Sequence, residues 1–121
     1  MHRFDFGLSI LLVAACLCAG PAEAGDPGPG KTTTVKCKDA PGQRYACYVP
    51  SRYSPNKAWP ILYCFAPDAN GQRFVQQYKK ACEARGWIVV GSLNSKNGPW
   101  DPIQASIDAI WADTEARFNL S

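Results

Sequence analysis

The chain has 121 residues, which bounds it to one domain, and carries 13 Lys/Arg against 10 Asp/Glu and a single His. Its basic residues are scattered (Lys36, Arg44, Arg52, Lys57, Arg73 and Lys96 among them) and form one doublet, Lys79-Lys80, which argues for a solvated surface and against a nucleic-acid partner. The one histidine is His2, so the chain beyond its first residues holds no Ser-His-Asp or Cys-His pair and no histidine metal ligand.

Residues 1–24 read as a signal peptide. Arg3 gives a weakly basic start, "LSILLVAACLCAG" is the apolar region, and "AEA" at 22–24 is a small-x-small cleavage site before Gly25. The apolar run is too short to span a bilayer comfortably, and nothing later serves as an integral membrane span. The expected product is secreted or periplasmic. "VAAC", Val13 to Cys16, also resembles a lipobox, so a lipoprotein anchored through Cys16 is the alternative. Without Arg3, Asp5 and Glu23 the remaining net charge is +4.

Residues 25–31, "GDPGPGK", form a Pro/Gly-rich lead-in. "TTTVKC", 32–37, is β-branched and predicts a strand. "DAPG", 39–42, is a turn, and "QRYACYV", 43–49, alternates with Tyr45, Cys47 and Val49 on one face. The two segments predict an antiparallel hairpin that would bring Cys37 near Cys47. A Cys37–Cys47 disulfide and two unpaired thiols both fit. Of the six cysteines, Cys64 and Cys82 complete the four that lie beyond residue 24; four allow three connectivities, and no spacing supports a zinc site.

A loop with three prolines, 50–60, precedes "ILYCF", 61–65, a continuous apolar run that suits a strand covered on both faces. From Arg73 to Arg85 the pattern is helical. Phe74, Val75, Tyr78, Ala81 and Cys82 fall on one face, and Gly86 is a natural stop. "WIVVGSL", 87–93, is a second apolar strand. After the "NSKNGPW" loop, Asp101 is an N-cap candidate, Pro102 suits the first helical position and Gln104 completes a capping box. Ile103, Ile107, Ile110, Trp111, Thr114 and Phe118 predict one face of that helix. The order β-β-β-α-β-α predicts an α/β protein with an N-terminal hairpin plus parallel strands.

The turn after Phe65, "APDANGQ", holds one Gly and no following Lys, so it is not a phosphate loop. Asp68 is a lone carboxylate there, and a Pro-Asp turn most often uses its Asp to bond its own backbone. A tight turn at the end of a central strand also suits an oxyanion hole, whose donor is a backbone N–H. Pro67 has no N–H, so the candidate donors are Asp68 and Ala69. Trp100 either borders a substrate cleft or packs over the helix start. Cys64 and Cys82 read as core thiols, since no histidine is placed to activate them.

"YACYVPSRYSPNKAWPILYCF", "ACEARGWIVVGS", "NSKNGPWDP" and "ARFNLS" together resemble the N-terminal portion of a secreted α/β-hydrolase of the polyhydroxybutyrate depolymerase/feruloyl esterase-like group. The resemblance implies a partial α/β-hydrolase sheet at 32–121, in the strand order 1-2-4-3-5, and carboxylic ester hydrolysis in a complete homologue, with no cofactor. It departs from the family where Ala66-Pro67 replaces the usual His-Gly. The nucleophile elbow G-x-S-x-G and the catalytic histidine, which the family carries later in its sequence, are absent from these residues, so no catalytic side chain is assigned and the chain alone is expected to be inactive. The competing expectation is a small secreted binding module held by disulfides among Cys37, Cys47, Cys64 and Cys82.

Overall fold

The computed structural model describes residues 24–121. The expectations for the signal peptide at 1–24 and for Cys16 fall almost wholly outside the described residues. Three strands, β1 (Thr32–Lys36), β2 (Arg44–Tyr48) and β3 (Ile61–Cys64), are followed by helix α1 (Gly71–Arg85), strand β4 (Ile88–Ser92) and helix α2 (Trp100–Arg117). The four strands form one mixed sheet in the order β1-β2-β4-β3. β2 runs against both of its neighbours, and β3 pairs parallel with β4, Ile61 opposite Ile88 and Cys64 opposite Gly91.

The chain is therefore an α/β protein with one helix on each face of the sheet. Strand alternation sorts the side chains. Tyr45, Cys47, Ile88 and Val90 share one core with Ile110 and Phe118 on the α2 side. Ala46 and Val89 share the other with Val75 and Cys82 of α1. β4 is buried along its whole length because it lies between β2 and β3 with a helix over each face. β3 is only half-buried throughout. It has the apolar composition of a central strand but sits at the border of the sheet.

The loop before β3 is tied down by the last residues. Trp59 N–H donates to the Asn119 carbonyl at 2.8 Å, and Ser121 N–H donates to the Trp59 carbonyl at 3.0 Å, so Trp59 and Leu120 form a parallel bridge just ahead of β3. Trp59 itself is fully buried, with its indole N–H on the Ser54 carbonyl at 2.7 Å.

Three local expectations are corrected. The β1–β2 register sets Cys47 opposite Thr33, four residues from Cys37, a separation of about 13 Å along the strand against the roughly 7 Å that a disulfide spans. Cys37 and Cys47 lie on the same face but not side by side, and all four cysteines of the described residues are free thiols. Asp101 is not the N-cap of α2. Pro99 holds that place in an extended conformation, Trp100 starts the helix, and no side chain caps it. Pro102 still falls in the first turn, where a missing N–H costs nothing, and Gln104 bonds Asp108 one turn on, at 2.7 Å. Finally, Trp111 is 52% and Tyr78 37% exposed. The buried positions of α1 are Gly71, Val75 and Cys82, and those of α2 are Ser106, Ile110, Asp113 and Thr114.

Candidate functional site

In an open α/β sheet the loops after the carboxyl ends of parallel strands are where ligands meet the fold. Here those loops are Phe65–Asn70, after β3, and Leu93–Pro99, after β4. They are laced together. Ser95 Oγ donates to the Ala66 carbonyl at 2.9 Å, and Asn97 N–H donates to the Pro67 carbonyl at 2.8 Å. Asp68 and Lys96 form an antiparallel bridge. Between the loops lies a shallow cavity of about 180 Å³ lined by Phe65, Ala66, Pro67, Ser95, Lys96, Asn97 and Ile103.

The turn after β3 follows from its residues. Pro67 supplies a fixed φ at the second position, and Ala69 N–H closes the turn on the Ala66 carbonyl at 3.1 Å. Asp68 accepts from Asn70 N–H at 3.2 Å and pairs with Arg73 at 3.2 Å. The Asn70 N–H and the Arg73 guanidinium hold the Asp68 carboxyl below its ordinary value. This is the side chain to backbone bonding expected of a Pro-Asp turn. Ala69 takes a left-handed φ of 61°, an uncommon choice for a residue with a Cβ. Asn70 then caps α1, its side chain accepting from Arg73 N–H at 3.3 Å.

The two candidate oxyanion donors are thus unequal. Ala69 N–H is spent on the turn, whereas Asp68 N–H bonds no backbone carbonyl and faces its own carboxylate. Trp100, the first residue of α2, is 62% exposed and does not line the cavity between the loops. Cys64 and Cys82 lie together in the α1-side core, and burial raises both thiols above their ordinary value.

The serines near the loops are committed to structure. Ser92 Oγ accepts from Asn94 and Ser95 N–H groups, and Ser106 Oγ donates to Gln43 at 2.9 Å. None is bonded to a group that could serve as its general base. Among the described residues no three His, Cys, Asp or Glu side chains converge as a metal site, and no helix is long and apolar enough to cross a membrane.

Sequence reading missed two features that set this geometry. Gly71 and Gly91 meet backbone to backbone, and a Cβ on either would fall inside the other's main chain. That contact seats the start of α1 directly on the end of β4 and fixes where the β3 turn must travel. The second is Asp113, buried on α2, which accepts from Tyr45 Oη at 2.6 Å, from Lys38 N–H at 2.9 Å and from Arg117 Nε at 2.7 Å. Arg117 also reaches Asp26 and the Lys36 carbonyl. The cluster joins the lead-in, the hairpin and α2. An acid in an i, i+4 pair with Arg117 on a helix was its only sequence signal.

No protein-family model matches the chain, and no curated protein matches it significantly.

Proposed function

We propose that residues 32–121 form the N-terminal part of a secreted esterase-like α/β-hydrolase sheet and supply the oxyanion side of a site that hydrolyses carboxylic esters. One observation carries the reading. The sheet has the order β1-β2-β4-β3 with β2 as the single reversed strand, and its β3 ends in a tight turn. That arrangement agrees with the first four strands implied by the resemblance of the sequence.

The chemistry asked of the turn is limited. When an ester carbonyl is attacked, its oxygen gains negative charge, and a fixed N–H beside it stabilises that charge without having to reorganise. Of the two candidate donors, Asp68 N–H is the one not spent on a backbone carbonyl, and it lies beside its own carboxylate. The Ser95 and Asn97 bonds to the Ala66 and Pro67 carbonyls hold the turn still. The nucleophile and its base lie outside this set of residues, since no G-x-S-x-G occurs and His2 is the single histidine.

The purified chain, mixed with p-nitrophenyl butyrate and with a fluorophosphonate probe, is expected to show no turnover above buffer and no phosphonylated serine. Turnover with a labelled serine would contradict this division of roles.

A further inference from the structure

We infer that the cavity beneath the Pro/Gly-rich lead-in is a binding site for a small monocarboxylate with an apolar body, whose carboxylate takes the place of Asp26 on Arg117. The site uses no residue of the loops after β3 and β4, so it stands or falls independently of the function proposed above.

The cavity follows from the sequence of the lead-in. Gly25 N–H donates to the Thr34 carbonyl and Gly30 N–H to the Val49 carbonyl, both at 2.8 Å, so the segment is pinned at each end. Between the pins stand Asp26, Pro27, Gly28 and Pro29. The two prolines fix the backbone, and Gly28 has no side chain to fill the space beside it. A cavity of about 300 Å³ remains there, at the small end of the range for ligand pockets. Val49, Tyr53 and Phe118 give it an apolar wall. Tyr53 and Phe118 meet edge to face with ring centroids 5.7 Å apart, and the Tyr53 hydroxyl accepts from Asn119 N–H at 3.2 Å. Lys38 and Arg117 give it a cationic wall.

Arg117 is the group that calls for an anion. Its side chain is only 10% exposed. A guanidinium has five N–H donors. Among the described residues three of them have acceptors: Nε bonds Asp113, Nη2 bonds the Lys36 carbonyl, and Nη1 bonds Asp26. The other two are unmet. The Asp26 contact is also the weakest of the three, since it is 3.3 Å long and the Asp26 side chain is 93% exposed. Water screens such a pair, so little holds it in place. A carboxylate inside the cavity meets the same guanidinium away from water, where a charge-assisted, two-pronged pair is stronger. Charge balance sets the ligand's valence. Asp113 offsets one of the two cations, Lys38 and Arg117, and Asp26 offsets the other. With Asp26 swung out to solvent, one positive charge is left for one carboxylate, and the wall of Val49, Tyr53 and Phe118 takes the apolar body.

The test titrates the full chain with phenylacetate, phenylacetamide and acetate, followed by the amide resonances of Gly28 and Phe118. Phenylacetate is expected to saturate both resonances with a Kd below about 1 mM, and the amide and acetate to bind at least about tenfold more weakly. Asp26→Asn is expected to tighten phenylacetate about threefold, because it removes a screened competitor for Arg117. Equal binding of the acid and its amide, acetate as tight as phenylacetate, or no saturation would each overturn the inference. So would an Asp26→Asn chain that binds no more tightly, or one that no longer folds, which would make Asp26 a structural anchor.

Discussion

Asp113 shows how much of this structure hangs on a single charged side chain. It is nearly excluded from solvent, yet three donors meet it and Arg117 neutralises it. Burial opposes its charge, but the bonds from Tyr45, Lys38 and Arg117 prevail and hold its carboxyl below the ordinary value. The Tyr45 hydroxyl is correspondingly raised, by burial and by its bond to Asp113. Asp113→Asn would leave the largely buried Arg117 with only the exposed Asp26 as counter-charge, and is expected to cost about 3 kcal/mol in urea unfolding. The pH dependence has a definite sign. A depressed carboxyl contributes its stability above the ordinary carboxylate range and loses it as pH falls through the folded value. Wild-type stability should therefore drop below about pH 4, and the Asn variant should show a shallower acid slope. The sequence displayed Asp113 and Arg117 as one more helical ion pair. Nothing in it revealed that Tyr45 and Lys38, some 70 residues away, close on the same carboxylate. Asp68 was more legible, because a Pro-Asp turn bonds within itself and needs no distant partner.

At the scale of elements, what was legible was local. β4 reads from its unbroken apolar run, and α1 stops at Gly86, which takes a left-handed φ of 74° and bonds the Cys82 carbonyl at 2.9 Å. Helix starts were harder to place. Asn70-Gly71 has the composition of a turn, yet Asn70 caps α1 and Gly71 begins it, two residues earlier than the pattern indicated. The reason is tertiary. Gly71, a poor helix former, is needed where the helix backbone touches Gly91 of β4, and only glycine permits that approach. Gly91→Ala is expected to destabilise the protein by about 3 kcal/mol or more, or to prevent folding, because both neighbours are backbone and cannot yield as a side chain would. Gly42→Ala, at a turn where an added Cβ meets nothing, should leave the denaturation midpoint almost unchanged. The cysteines teach a related lesson. The hairpin was expected to bring Cys37 near Cys47; the two share a face, but register decides whether residues on a face are neighbours. Both thiols are instead pushed up by burial, Cys37 to about 11 and Cys47 to about 12, which leaves them inert as nucleophiles at neutral pH.

For the whole molecule, the element order and the antiparallel hairpin followed from periodicity, while the sheet order required knowing which strands meet. The apolar run of β3 suits a strand covered on both faces, yet β3 is half-buried and, among the described residues, lies at the border of the sheet. Under the proposed function, a sheet ordered β1-β2-β4-β3 with the turn after β3 would supply one side of a divided catalytic site. The most direct test is to sequence the encoding DNA beyond the codon for Ser121. The proposal predicts continuation, in any frame, into an apolar strand, a G-x-S-x-G elbow and a later histidine. A stop in every frame with no such continuation would contradict it.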